Sequence, residues 1–290
     1  PFSPTPTPTS SPTSTASPTA STTPSSSPTP SPTVSPTPSR TPGGKKHVRG
    51  DFSGDGTANI AVYRSSSGLW AIRGFTRAYF GGGADEPYPR DYDGDGSADL
   101  AIYRPASGLW AIRGISRIYF GGIKDYPVPA DFNGSGTADP AVYRPDGGLW
   151  AVKGITRVYF GGGSDEPVVW DYTGDGIAEI AVYRPSSGLW ALRGTSRFYY
   201  GGGSDRPYPA DFSGGGSGEA AIYRPASGLW AIRGLTRAYF GGGSDLPVPA
   251  DFSGSGSTAL TIYRETSGLW AVKGVTKVYF GGGSDIPVTR

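Results

Sequence analysis

Aspartates at positions 51, 91, 131, 171, 211 and 251 recur every 40 residues, and so do tryptophans at 70, 110, 150, 190, 230 and 270. Residues 51–290 are therefore six consecutive units of one length with no insertion between them. A fixed period in this range restricts the chain to architectures in which one supersecondary unit is stacked on copies of itself. The units share a pattern of Asp-Phe/Tyr, two spaced glycines, Tyr-Arg, Gly-Leu-Trp-Ala and a closing Tyr-Phe/Tyr-Gly-Gly.

Each unit reads as four short β-strands. In the second and third units they are Val128-Pro129-Ala130 running into Asp131, Asp99 to Arg104, Leu109 to Arg113, and Arg117 to Phe120. These runs are rich in β-branched and aromatic residues and are separated by Ser-Gly, Gly and Gly-Gly turn signals. Pro127 and Pro129 suit an innermost or edge strand, because proline donates nothing to a ladder. Four strands per 40 residues, repeated six times, predicts an all-β fold, a six-bladed β-propeller. A β-solenoid is the rival, but its terminal coils are expected to differ as caps, and here first and last units are alike. The chain ends on Ile286-Pro287-Val288-Thr289, a copy of the first-strand motif that Lys46–Arg49 lacks. The simplest closure inserts this C-terminal copy into the blade that begins near Asp51. If the elbow supplies its own strand, the C-terminal copy is spare.

After the first strand of unit two comes Asp91-Tyr92-Asp93-Gly94-Asp95-Gly96-Ser97-Ala98-Asp99. Oxygen ligands at alternate positions, a glycine at the bend and a carboxylate at the ninth position suit Ca²⁺, which takes six to eight hard oxygens. The spacing resembles the loops of FG-GAP or VCBS-type repeats, the blades of integrin-α-like propellers. That resemblance extends over residues 51–290 and implies calcium between the first two strands of a blade. Unit two, with Asp91, Asp93, Asp95 and Asp99, is the best candidate. Weaker ones are unit one, with Asp51, Asp55 and Asn59, and unit four, with Asp171, Asp175 and Glu179. Unit three keeps Asp131 and Asp139 with Asn133 and Ser135 between them, unit five has Gly215 at the fifth position, and unit six has Ser255 there and Ala259 at the ninth. In all six, the first aspartate can close an Asx-type turn without metal.

The repeated Tyr-Arg and Leu-Trp-Ala permit two readings. Aromatic faces could stack on sugar rings, one site per blade, in a layout that resembles propeller lectins. Alternatively, Trp70 and its copies fill the space between blades. A residue present in every blade favours packing. The repeated arginines are placed to stack on these rings or to pair with the loop aspartates. Trp170 stands outside the repeat, where other units have Ala or Arg, and is a candidate ligand or partner contact. Arg49-Gly50-Asp51 spells an integrin-recognition tripeptide, but Asp51 is already required by the repeat.

Residues 1–44 are of a different kind: the first 42 contain 13 prolines and 24 serines or threonines. Such a segment has almost nothing to bury and favours extended polyproline II. It reads as an O-glycosylated stalk or a bare linker, with Thr5, Thr7, Thr13, Thr19, Thr29, Thr33 and Thr37 beside proline as acceptors. Residues 45–50 form a basic elbow. The net charge of +2 divides into +4 for residues 1–50 and −2 for the repeats.

With no cysteine and a single histidine, His47, the chain offers no disulfide, no Cys or His metal cluster and no Ser-His-Asp triad in its repeats. Near-zero charge argues against nucleic acid as partner, and no apolar run is long enough for a membrane helix. The start at Pro1 and the lack of methionine suggest a processed or partial chain. These features predict a non-enzymatic, extracellular or cell-surface structural or adhesive protein. Its sharpest form is a subunit of a surface fibre whose glycosylated stalk contacts a neighbouring propeller. The alternative is a multivalent carbohydrate-binding propeller. Beyond calcium no cofactor is expected.

Overall fold

The computed structural model describes residues 48–288; the stalk, its seven threonines and the elbow up to His47 lie outside the described residues. Among the described residues there is no helix, and six sheets of four antiparallel strands are present. In the second blade Glu86–Pro87, Ala101–Arg104, Leu109–Ile112 and Ser116–Tyr119 lie side by side in chain order. The expected six-bladed propeller is what forms.

The alternation of side chains explains why blades pack on one another. Tyr63 pairs across strands with Trp70, and Val62 pairs with Ala71. Because successive residues of a strand point to opposite faces, each blade has one face of large aromatics and one of small aliphatics. Tyr63 and Trp70 pack on Ile102 and Ala111 of the next blade. The same pairing recurs at every junction, ending with Tyr263 and Trp270 of the sixth blade against Val62 and Ala71 of the first. All six repeat tryptophans have a relative exposure of 0%. Each indole N–H donates to a backbone carbonyl ten residues on, as Trp110 does to Phe120 at 3.0 Å. The packing reading of these tryptophans is the one observed.

Closure follows the simpler expectation. Ile286–Pro287 pairs with Val62 and Tyr63, so the last residues of the chain complete the first blade. The first strands differ from expectation. The ladder forms at Tyr126–Pro127 rather than Val128–Ala130. Val128 still donates to Ala141, and Ala130 forms a single bridge with Asp139. Pro127 and Pro129 supply no N–H, which breaks this inner strand into two short contacts.

The turn before each Leu-Trp-Ala sits directly on the Gly-Gly stretch. Gly108 has φ of +66°, and a Cβ there would lie 2.4 Å from the carbonyl oxygen of Gly121. Gly114 has φ of +78° but open space around it. Gly114→Ala should therefore incur only the left-handed backbone penalty, about 1–2 kcal/mol. Gly108→Ala adds a backbone clash and should cost clearly more. Guanidinium unfolding of the two variants measures the difference; equal losses would mean that the Gly108–Gly121 approach is not constraining.

Candidate functional site

The acidic turns form a ring of their own. The N–H at the eighth position of each turn donates to the carbonyl of the first aspartate in the preceding blade, from Ala98 to Asp51 around to Ala58 to Asp251, at 2.6–2.8 Å. Within each turn the first aspartate is a cap. Its Oδ2 accepts the N–H of the glycine five residues on, at 2.6–3.0 Å in all six copies. The ninth residue caps the loop from the other side. Asn59, Asp99, Asp139, Glu179 and Glu219 each accept the N–H of the second loop residue at 2.6–2.9 Å. Most of the conspicuous oxygens thus hold backbone, as in a metal-independent turn.

Two turns also bring carboxylates together. One oxygen each from Asp91, Asp93 and Asp99 lie within 4.8 Å of one another, and so do oxygens of Asp171, Asp175 and Glu179. Asp95 is outside the first group, with Oδ1 accepting the Ser97 N–H at 2.7 Å. In unit one Asp51 Oδ2 accepts the Gly56 N–H and Asp55 Oδ1 accepts the Thr57 N–H, so both carboxylates cap their turn. The donor sets of units two and four fit a hard cation. Burial, and then the neighbouring Asp93, Asp91 and Asp95, push the Asp99 carboxyl up to about 6. Burial also raises Asp139 and Glu179.

The repeated arginines do not pair with these turns. Arg104 instead grips Asp85, in the connection leading into its own blade, with Nε–Oδ1 at 2.6 Å and Nη2–Oδ2 at 2.9 Å. Five further pairs copy this geometry, and Arg64–Asp285 joins the two ends of the repeat region. The aspartates are buried whereas the arginine side chains remain 43–46% exposed. The hydrogen-bonded carboxylate raises the pKa of each guanidinium, keeping it charged.

This half-exposed arginine opens into a cleft between blades. At the junction of the first two blades a cleft of about 410 Å³ is lined by Tyr79, Phe80, Gly81, Asp85, Ile102, Arg104, Leu109, Ala111 and Arg117. Its counterpart between the sixth and first blades, about 380 Å³, is lined by Tyr279, Phe280, Gly281, Asp285, Val62, Arg64, Leu69, Ala71 and Arg77. The same residue types recur at the other four junctions, except that Lys277 replaces the outer-strand arginine between the fifth and sixth blades. Tyr79, Tyr119, Tyr159, Tyr199, Tyr239 and Tyr279 are 70–75% exposed on the outer strands. The aromatic that a ligand can reach is thus this tyrosine, not the tryptophan. The sequence carried the signal in its invariant Tyr-Phe/Tyr-Gly-Gly, because a tyrosine ending an outer strand has no next strand to cover it.

Trp170 follows the first strand of the fourth blade, Glu166–Pro167, at an isolated bridge to Glu179. The Arg49 guanidinium carbon sits 3.8 Å from the centre of its ring, and Arg49 also donates to the Val169 carbonyl at 3.3 Å. Arg49 precedes the first blade, so this contact crosses the ring axis. Burial, then the nearby Arg90, lowers the Arg49 pKa. Trp170 also presses on Gly218, where a Cβ would clash with the indole. Gly218 stands where the other turns have Ala or Thr. The Arg-Gly-Asp tripeptide is spent internally: Arg49 covers Trp170, and Asp51 is 2% exposed.

No protein-family profile matches the chain, and no curated protein matches it. Among solved structures it is similar to a lectin of Agrocybe aegerita, described as specifically recognising non-reducing terminal N-acetylglucosamine. The TM-score is 0.52 at 16% identity, over 82% of this chain and 77% of the lectin chain. The likeness is one of fold: a propeller of repeated four-stranded blades.

The raised Asp99 has a thermal consequence. Its folded pKa of about 6 exceeds the unfolded value of 3.8, so between these values the folded chain binds more protons than the unfolded one. Stability should accordingly rise as pH falls through this window. Asp99→Asn, which copies Asn59, retains the acceptor for Tyr92 and removes the charge. In chelator, the variant should be at least as stable as the parent near neutral pH, with a flatter Tm-versus-pH slope from about 7 to about 5. An unchanged slope would show that Asp99 is not the titrating group.

Proposed function

We propose that the chain is a multivalent carbohydrate-binding propeller whose six inter-blade clefts each take a saccharide. The observation that carries this reading is the repeated pairing, in one cleft, of an outer-strand tyrosine with an arginine fixed by a buried aspartate. Tyr79 offers a flat apolar face for a pyranose ring. The Arg104 fork is oriented by Asp85 through Nε and Nη2, leaving Nη1 without a protein partner among the described residues. Such an arrangement orders a hydrogen-bond donor before ligand arrives, which limits the entropy lost on binding. The Agrocybe lectin, a propeller that binds a sugar, supports the reading by analogy of fold. The clefts provide binding and orientation, without a nucleophile–base pair, so the role we assign is recognition rather than catalysis.

In this reading the acidic turns of units two and four are calcium sites of FG-GAP or VCBS type. They would brace the loop ring, away from the sugar clefts. The Pro/Thr/Ser composition of residues 1–44 supports an extracellular or cell-surface setting, with an O-glycosylated stalk that holds the propeller off its support. The same composition supports use of the stalk as the contact to a neighbouring copy in a fibre.

Replacing the six exposed tyrosines by alanine tests the sugar reading. Because they are 70–75% exposed, the variant should keep its Tm within a few degrees while losing retention on a glycan array. Undiminished glycan retention would overturn the assignment of these clefts.

A further inference from the structure

The charge of the repeats is strongly segregated. From Leu69 to Phe80 and in its five copies, the third and fourth strands and their turn carry twelve Lys or Arg and no Asp or Glu. All twelve cations are exposed. The acids lie elsewhere, mainly in the acidic turns and as the buried partners of the Arg104 series. A net charge of −2 over the repeats therefore conceals outer strands that are wholly cationic.

This cationic surface meets the clefts. Arg117 lines the cleft between the first two blades together with Arg104 and Tyr79. Arg77 does the same with Arg64 and Tyr279 between the sixth and first. Among the described residues no carboxylate forms an ion pair with Arg117 or Arg77. Each of these two clefts thus holds two guanidinium groups but only one carboxylate, buried and already bidentate, and the other junctions repeat the two cations, with Lys277 as the second one between the fifth and sixth blades. A neutral sugar leaves this excess positive charge uncompensated. Guanidinium groups match carboxylate and sulfate geometry with paired N–H donors.

Building on the sugar reading of these clefts, we propose that their ligand is an anionic saccharide, a uronate or sulfated sugar. Its acidic group bridges the Arg104 and Arg117 positions while its ring lies on Tyr79. Repetition around the ring then presents six such clefts to an acidic polysaccharide. A nucleic acid is the lesser fit, because the clefts are separate and each is walled by a tyrosine rather than joined into a continuous basic groove.

The test uses the full chain with four immobilised probes: polygalacturonate, dextran sulfate, N-acetylglucosamine oligomers and duplex DNA. A second protein carries glutamine in place of Arg77, Arg117, Arg157, Arg197, Arg237 and Lys277. We expect the parent to bind polygalacturonate or dextran sulfate more tightly than the neutral oligomer. Its affinity should fall about tenfold or more between about 0.05 and about 0.5 M NaCl as the charges are screened. The glutamine variant should lose this binding and its salt dependence while keeping its thermal transition. Binding to polygalacturonate alone identifies the carboxylate as the recognised group, and binding to dextran sulfate alone identifies the sulfate. Salt-independent preference for the neutral oligomer, unaffected by the glutamines, overturns the anionic inference and leaves the sugar reading standing. Silence on every saccharide overturns both. Equal capture of DNA and acidic glycan reduces the surface to a general polyanion binder and also overturns the inference.

Discussion

A blade in this protein cannot cover its own core. Tyr63 and Trp70 are completely buried, yet what buries them belongs to the next blade, Ile102 and Ala111. The dipeptides Val-Tyr and Trp-Ala encode this directly: one residue of each pair is large and faces forward, the other is small and faces back. Large against small is how facing layers fill space without voids. The last aromatic face can be satisfied only by the first aliphatic face, so the geometry ends in closure. Blades six and one meet through Tyr263 and Trp270 on Val62 and Ala71. Such a ring has no exposed terminal core, which is why first and last units need not be modified as caps and why the chain manages without disulfides.

The polar contacts then fix what the apolar contacts assemble. Near the axis, each acidic turn is tied to the previous one by a backbone hydrogen bond, and its aspartate is consumed in shaping the turn. Farther out, the buried aspartates orient the arginines. The aspartates of the turn and of the connection look alike in composition but do different work. One class holds backbone, and the other holds a guanidinium that remains half-exposed. The outer strands, with no following strand to cover them, are left to face solvent.

Period, blade count, strand order and the closing role of Ile286–Pro287 were legible because they follow from alternation and turn residues, which are local properties. The partner of the repeated arginine was not. Arg104 and Asp85 are 19 residues apart and separated by an acidic turn that offers four nearer carboxylates. Only the ladder register brings the two together, and register is not visible in composition. The first strand was misplaced by two residues for a related reason: its prolines leave too few donors to mark where pairing begins. Trp170 was visible as an exception but its meaning was not. That meaning lies in a second exception, Gly218, and in Arg49, which comes from outside the repeat altogether. Both departures from the repeat meet on the Trp170 ring, which needs Gly218 on one side and Arg49 over its face.

On the proposed saccharide reading, the symmetry also bears on how the clefts would work. A shallow cleft walled by one tyrosine and two cations buries little of a sugar, and single sites of that kind bind weakly. Six equivalent copies on one rigid ring change the outcome for a polymeric ligand. With one cleft engaged, the others would act at the effective concentration set by their fixed spacing, and avidity would exceed the single-site affinity by about 10²–10⁴ without any new contact. Monomeric sugar gains nothing from this multiplication. A ring that keeps its junctions nearly identical is therefore suited to discriminate by the repetition of its ligand as much as by its chemistry. The same requirement that makes every blade cover its neighbour makes every cleft a copy of the last.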